Sequence, residues 1–274
     1  MNELQALQEL YDVRGRVILI TGACGYFGKH ITRLFLRLGA KVILLSRSDR
    51  LREQTNDLQI VFGDDSVSSY QVDFYEREKF QDKLQYISVN KHIDVIINNA
   101  YDISERTGFD SDTGAIEKLS YREWFSAFQC TYWAVQTIQI IGSTLKDQQC
   151  GSIINIGSMY GVIAPDPKLY EGEKYFNPAT YSTNKAALIG LTRYVAAFWG
   201  KYRVRCNAIL PGPFPNSEKV KPNSDFDIKL KERTAIKRVG MLSDLDGLLV
   251  YLACDASAFM TGQIIGLDGG WTII

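Results

Sequence analysis

The chain has 274 residues, of which 46% are apolar and 23% charged, and its 31 Lys and Arg balance 31 Asp and Glu. These proportions suit one large α/β unit and exclude disorder, collagen and coiled coil, while zero net charge offers no basic field for a nucleic-acid backbone. No run of 18 apolar residues occurs and residues 1–11 lack the basic-then-apolar order of a signal peptide, so a cytoplasmic protein with neither membrane nor nucleic-acid partner is expected.

Residues 1–12 read as an N-terminal extension of one unit spanning 1–274. Short β-branched runs follow at Val17–Ile20, Lys41–Leu45, Tyr70–Val72, Ile93–Ile97, Ser152–Ile156, Arg205–Leu210 and Gln263–Leu267. Each is apolar on both sides, as a parallel strand covered on two faces must be. Helical patterns lie between them, which predicts an α/β, doubly wound, mainly parallel seven-stranded sheet with helices on both faces. The five cysteines, Cys24, Cys130, Cys150, Cys206 and Cys254, are scattered and odd in number. They read as reduced thiols, with no disulfide framework and no metal site.

After the first run the chain reads Thr21-Gly22-Ala23-Cys24-Gly25-Tyr26-Phe27-Gly28 and enters a helical pattern, Lys29–Leu38, with Ile31, Leu34, Phe35 and Leu38 on one face and Gly39 at its end. Glycines at a strand-to-helix turn permit positive φ and close backbone approach, and the free amides at the helix start stabilise a pyrophosphate. This is the arrangement of a dinucleotide site. The second run ends at Ser46-Arg47, with no acid until Asp49. A carboxylate there would bond the 2′-hydroxyl of NAD, whereas an arginine pairs with the 2′-phosphate of NADP, so NADP(H) is expected in preference to NAD(H). Asp73, past the third run, could accept from the adenine amino group or cap a helix. Asn98-Asn99-Ala100 closes the fourth run at the same sheet edge and can fix backbone around the cofactor.

Asn177 and Pro178 predict the N-cap and first position of a helix continuing from Tyr181 to about Trp199. In Tyr181-Ser182-Thr183-Asn184-Lys185 the phenol and ammonium lie four apart on one helix face. A free tyrosine titrates at about 10, so proton transfer near pH 7 needs roughly 4 kcal/mol of help from nearby positive charge. On an arbitrary helix this pair is a frequent surface feature. Here it follows a run ending Ile154-Asn155-Ile156-Gly157-Ser158.

With these motifs in this order, and with Pro211-Gly212 and the closing Thr261-Gly262 and Leu267-Asp268-Gly269-Gly270, the chain resembles the short-chain dehydrogenase/reductase family from about Val13 to Trp271. The resemblance implies a Rossmann-type fold and an NAD(P)-dependent oxidoreductase acting on a small-molecule alcohol or ketone. It implies that Tyr181 moves the proton of the reacting oxygen, that Ser158 hydrogen-bonds that oxygen, and that Lys185 binds the nicotinamide ribose and lowers the tyrosine pKa. It places Gly22, Gly25, Tyr26, Phe27, Gly28, Ser46, Arg47, Asp73, Asn99, Ala100, Pro211 and Gly212 beside the cofactor, and makes residues 211–240 a substrate lid. A homodimer or homotetramer is implied as well.

Three departures stand out. The glycines fall as TGxxGxxG, with Tyr26 where core-length members carry their second glycine. Thr131 stands where the family usually has an asparagine that anchors a proton-relay water. Ser158 and Tyr181 lie 23 positions apart, more than is usual, so residues 164–173 form an insertion at the mouth of the site. That insertion, and the segments around Ser158 and Lys185, look like those of bacterial oxidoreductases associated with flagellin glycosylation and nonulosonic acid pathways, and of gluconate 5-dehydrogenase-like reductases. A polar loop bearing Asp166, Lys168 and Glu171 suits a sugar-like substrate. The alternatives are a 3-ketoacyl reductase of the same family, for which Lys219, Lys221, Lys229, Lys231 and Arg233 would form a basic docking patch, and a non-catalytic cofactor-binding regulator, motivated by Thr131.

Overall fold

Seven strands, β1 Val17–Thr21, β2 Lys41–Ser46, β3 Val67–Gln71, β4 Val95–Asn98, β5 Gly151–Ile156, β6 Val204–Pro211 and β7 Ile264–Leu267, form one sheet in the order β3-β2-β1-β4-β5-β6-β7. Every neighbouring pair is parallel. The computed structural model describes residues 3–111, 113–173 and 176–274. The chain winds outward from β1 to β3 and then from β4 to β7, so the order reverses between β1 and β4, where ligands of such sheets bind beyond the carboxyl ends.

The period of two in each strand divides the core. Ile18 and Ile20 of β1 and Val42 and Leu44 of β2 face Ile31 and Phe35 of α2 (Tyr26–Arg37) and Leu249 and Leu252 of α8 (Asp246–Ala253). Leu19, Ile43 and Ile96 face the other way, onto Phe80 and Leu84 of α4 (Arg77–Asn90), Trp133 and Ile141 of α5 (Tyr121–Asp147) and Val195 of α6 (Ala179–Trp199). Both faces are buried, and the strands accordingly read as unbroken apolar runs. The helix α3 (Leu51–Phe62) links β2 to β3, α7 (Asp225–Glu232) follows β6, and α1 (Glu3–Leu10) buries no residue. Among the described residues no helix is long and apolar enough to cross a membrane.

The structure moves three predicted boundaries. β3 begins at Val67, three residues before the predicted Tyr70, because this strand pairs with β2 alone and carries the half-exposed Ser68 and Ser69. The first crossover helix starts at Tyr26 and not at Lys29, since the glycine turn ends at Gly25 and Gly28 lies inside the first helical turn. Pro178, in extended conformation, occupies the cap position of α6 that was expected of Asn177. The Asn177 amide instead donates to the Tyr170 hydroxyl.

Phe80 is fully buried and stacks on Phe74 with ring centroids 4.5 Å apart. Phe80→Ala should lower the unfolding free energy by about 3–5 kcal/mol in urea denaturation. A loss below about 1 kcal/mol would show that this face of the sheet is loosely packed.

Candidate active site

The glycine turn after β1 is a close backbone fit. Gly22 has φ +69°, and a Cβ on it would lie 2.8 Å from Ala100 Cα. A Cβ on Gly28 would come within 2.3 Å of the Gly22 carbonyl oxygen. Asn99 fixes the turn from the neighbouring strand, its amide donating to the Thr21 and Gly22 carbonyls at 3.1 Å each. Thr21 Oγ1 accepts from the Asn99 and Ala100 amides, also at 3.1 Å. Gly25 is the extended N-cap of α2, so the first amides of that helix are free of intrahelical acceptors. A turn so tightly packed that only glycine fits at Gly22 and Gly28, leading into free amides and the positive end of a helix dipole, fits a dinucleotide pyrophosphate. Tyr26 and Phe27 reach the segment after β6. The Tyr26 hydroxyl donates to the Pro215 carbonyl at 3.1 Å, and Phe27 meets Phe214 edge-on.

Other residues expected around the cofactor are already engaged within the chain. Ser46 Oγ accepts from the Ser48 amide at 3.2 Å. Asp73 Oδ1 accepts from the Tyr75 amide at 3.0 Å, closing a turn, and the N-cap of α4 is Glu76, so the helix-cap reading of Asp73 is corrected. The Gly212 amide donates to the Leu267 carbonyl at 3.0 Å, and a Cβ on it would strike Asp268 Cα at 2.5 Å. Gly212, next to Pro211 at the end of β6, thus closes the β6–β7 pair, and its amide does not face outward. Arg47 is partly exposed and paired within the chain. Its Nη2 donates to Asp102 Oδ1 at 2.8 Å and its Nη1 to Oδ2 at 3.3 Å.

At the reacting end, β5 delivers Ser158 and the first turns of α6 deliver Tyr181 and Lys185. Ser158 Oγ accepts from the Tyr160 amide at 3.1 Å and lies near enough to the Tyr181 phenol to lower its pKa. Lys185 Nζ donates to the Ile156 carbonyl at 2.8 Å and lies 5.6 Å from the Tyr181 ring centroid. Gly161 permits this convergence, since a Cβ there would meet the Lys185 backbone carbon at 2.9 Å. Burial pushes the Lys185 ammonium down to about 8. Burial also raises the Tyr181 phenol, against the lowering effect of the nearby Ser158 hydroxyl. Thr131 Oγ1 donates to Asn184 Oδ1 at 2.9 Å, so its hydroxyl is spent on the residue preceding the lysine.

The insertion is less polar in place than in sequence. Leu169 and Tyr170 are buried against Met159, Tyr160 and, on the other side, Phe226 and Leu230 of α7. The Tyr160 and Tyr170 hydroxyls are 3.0 Å apart. Asp166 is ion-paired with Arg233, and Lys229 Nζ donates to the Glu171 carbonyl at 3.2 Å. Lys231 pairs with Asp227 at 2.7 Å. The Asp166 carboxylate expected to meet substrate thus pins the loop to the segment after β6, and three of the five basic residues of the supposed docking patch are engaged internally.

Residues 22–272 match the family model described as enoyl-(acyl carrier protein) reductase. The chain belongs to the short-chain dehydrogenase/reductase family of oxidoreductases. It is similar to a 3-oxoacyl-(acyl-carrier-protein) reductase of Thermotoga maritima, 29% identical over 269 residues covering 95% of this chain and 99% of the relative. It is also similar to a gluconate 5-dehydrogenase of Gluconobacter oxydans, 27% identical over 271 residues covering 97% and 98%. The crystal structure of a gluconate 5-dehydrogenase from Burkholderia cenocepacia in complex with NADP and tartrate shares the fold, with a TM-score of 0.82 at 23% identity over 98% of this chain and 99% of that one.

Around this short-chain dehydrogenase/reductase site the structure adds residues that the motifs did not single out. Tyr101, directly after Asn98-Asn99-Ala100, meets Tyr181 edge-on at 5.1 Å and lies 5.0 Å beneath the Lys185 ammonium. Its hydroxyl, Asn98 Oδ1 and Trp133 Nε1 are buried without a hydrogen-bond partner among the described residues, and all three residues line one small cavity together with Thr131 and Lys185. The available signal was an aromatic residue followed by an acid, Tyr101-Asp102, at the end of a strand that delivers site residues.

The low Lys185 pKa gives a test that needs no cofactor. Between about 8 and the ordinary lysine value of 10.5 the unfolded chain binds more protons at this lysine than the folded chain, so this residue makes stability rise with pH across that window. In urea denaturation at fixed ionic strength, Lys185→Met should remove that rise relative to the parent chain. Identical pH slopes in the two proteins would show that the ammonium is solvated.

Proposed function

We propose that this chain is an NADP(H)-dependent oxidoreductase that interconverts a secondary alcohol and a ketone on a sugar or sugar-derived substrate. The observation that carries the reading is the buried Lys185 ammonium, held by the Ile156 carbonyl at 2.8 Å and 5.6 Å from the Tyr181 ring centroid, with Ser158 two residues beyond that carbonyl. When bound, the nicotinamide supplies or accepts the hydride. The oxygen of a reduced carbonyl then needs a donor within hydrogen-bond reach. Tyr181 gives that proton in reduction and takes it in oxidation, and Ser158 orients the oxygen. Lys185 would hold the nicotinamide ribose, and its ammonium beside the Tyr181 ring would favour the phenolate against the burial that raises the phenol pKa. The cradle at Gly22, Gly25 and Gly28 accommodates the pyrophosphate.

Arg47, at the end of β2, takes the 2′-phosphate in this reading. The NADP in the Burkholderia structure supports the cofactor choice. The name of the Gluconobacter relative supports a polyhydroxylated substrate of the kind also required for flagellin and nonulosonic sugars. The linked hydroxyls of Tyr160 and Tyr170, joined by the Asn177 amide, add a polar wall beside Tyr181. Residues 211–240 act as a lid through the packing of α7 on the insertion. The 3-ketoacyl alternative keeps the support of the Thermotoga relative, but Lys229, Lys231 and Arg233 are poorly free for an acyl carrier. We also propose a homo-oligomer, since Phe125 and Phe128 of α5 and Tyr194 and Phe198 of α6 are about half exposed, an unusual display for a monomer's helices.

NADPH oxidation measured across a panel of keto-sugars and 3-ketoacyl thioesters should be saturable with the former. Tyr181→Phe should lower the rate by about 10²–10⁴-fold while NADPH still binds. Cofactor binding without turnover on any substrate would favour the regulator, and preference for the thioesters would favour the ketoacyl reductase. Light scattering should give a particle larger than the 30.9 kDa chain; a monomer would remove the oligomer from the reading.

A further inference from the structure

The ion pair between Arg47 and Asp102 joins the segments that follow β2 and β4, the two strands flanking β1 and its glycine turn. The two partners are held very differently. The Asp102 side chain is 2% exposed and that of Arg47 44%. Asp102 is locked in place. Its Oδ2 accepts from the Tyr75 hydroxyl at 2.9 Å, and its carbonyl accepts from Thr107 Oγ1 at 2.7 Å. Arg47 has one side toward solvent, and its guanidinium lies 6.0 Å from the Tyr75 ring centroid. Arg106, at 4.8 Å from that centroid on the same ring, is the other cation of the cluster.

We propose that Asp102 is a specificity-determining residue that competes with the 2′-phosphate of NADP for Arg47, and so trims the preference for NADP over NAD that Arg47 provides. The inference rests on the 2′-phosphate role given to Arg47 above. Both terminal nitrogens of the guanidinium already donate to the carboxylate, and a planar fork engaged by one anion has to be shared or released when a second arrives. Asp102, buried and tied by Tyr75 and Thr107, stays behind as a fixed negative charge near the incoming group. A 2′-phosphate carries nearly two negative charges and feels that carboxylate strongly. The 2′-hydroxyl of NAD carries none and does not. The carboxylate thus acts on one cofactor and spares the other, and Asp102→Asn, which keeps shape and one acceptor oxygen while removing the charge, separates the two effects.

The test is equilibrium binding of NADPH and NADH, followed by nicotinamide fluorescence, in the full chain and in Asp102→Asn, Arg47→Ala and the double variant. Asp102→Asn should tighten NADPH about tenfold and NADH less than twofold, and in the Arg47→Ala background the same change should shift the ratio of the two constants by less than twofold. Asp102→Ser serves as a second charge-removing variant should the amide disturb folding, which circular dichroism reports. A ratio unchanged by loss of the Asp102 charge, or NADPH selectively weakened, would overturn the competition and make Asp102 an orienting group for Arg47. If Arg47→Ala lowers the preference for NADPH but Asp102→Asn does not raise it, the inference falls and the role of Arg47 stands. If Arg47→Ala leaves the ratio as it was, both fall.

Discussion

The ammonium of Lys185 is buried with the Ile156 carbonyl as acceptor and two tyrosine rings as neighbours, and the reacting end is organised by the need to make that burial tolerable. A buried charge requires either a partner or a shift toward neutrality, and here both occur, with the pKa drawn down to about 8. The acceptor comes from the last residue of β5. Ser158 leaves the sheet two residues later, so the constraint that positions the lysine also sets the distance from serine to tyrosine. Gly161 completes the arrangement by letting the turn after Ser158 lie against the Lys185 backbone. Larger residues at Gly161 would separate β5 from α6 and remove the ammonium from its carbonyl.

The same edge of the sheet carries the rest of the chemistry because every strand runs in one direction. A parallel sheet brings all carboxyl ends together, and residues far apart in the chain then bond across it. Asn99 after β4 holds the turn after β1. The Asn98 amide donates to Asn155 Oδ1 of β5 at 2.8 Å, and the Asn155 amide donates in turn to Thr192 of α6 at 2.9 Å. These buried amides sit in a sheet otherwise filled with Ile, Leu and Val. Each bond stabilises only modestly on balance, but an orphaned partner would be costly, so the set specifies one registration of β1, β4, β5 and α6.

What was legible in the sequence follows from which interactions are local. The strands showed because burial on both faces needs continuous apolar runs, and β3 was misplaced because an edge strand escapes that need. Ser158, Tyr181 and Lys185 showed because a fixed spacing on one helix and a strand end preceding it are sequence features. Arg47 was legible as a residue and not as an interaction. Its partner Asp102 lies 55 positions away, the partner of Thr131 lies 53 away and that of Asp166 lies 67 away. Each of these polar groups looked available in the sequence and proved engaged, because no local pattern reports a long-range ion pair. The insertion was read from its charges, whereas its place is set by Leu169 and Tyr170, which the charged residues obscured.

The long-range contacts also join the two ends of the site. Asp102, which holds Arg47, accepts through its carbonyl from the Thr107 hydroxyl, and the Thr107 carbonyl accepts from the Thr180 hydroxyl at 2.7 Å. Thr180 is fully buried and immediately precedes Tyr181. The segment from Asp102 to Thr107 is therefore a strut between the group at the end of β2 and the start of the helix that carries the tyrosine. Chains of buried hydrogen bonds of this kind resist displacement of either end, since moving one member leaves its neighbour unsatisfied. A shift of Asp102 would be resisted by Thr107 and Thr180 before it reached Tyr181, so the end of β2 can rearrange while the start of α6 keeps its geometry.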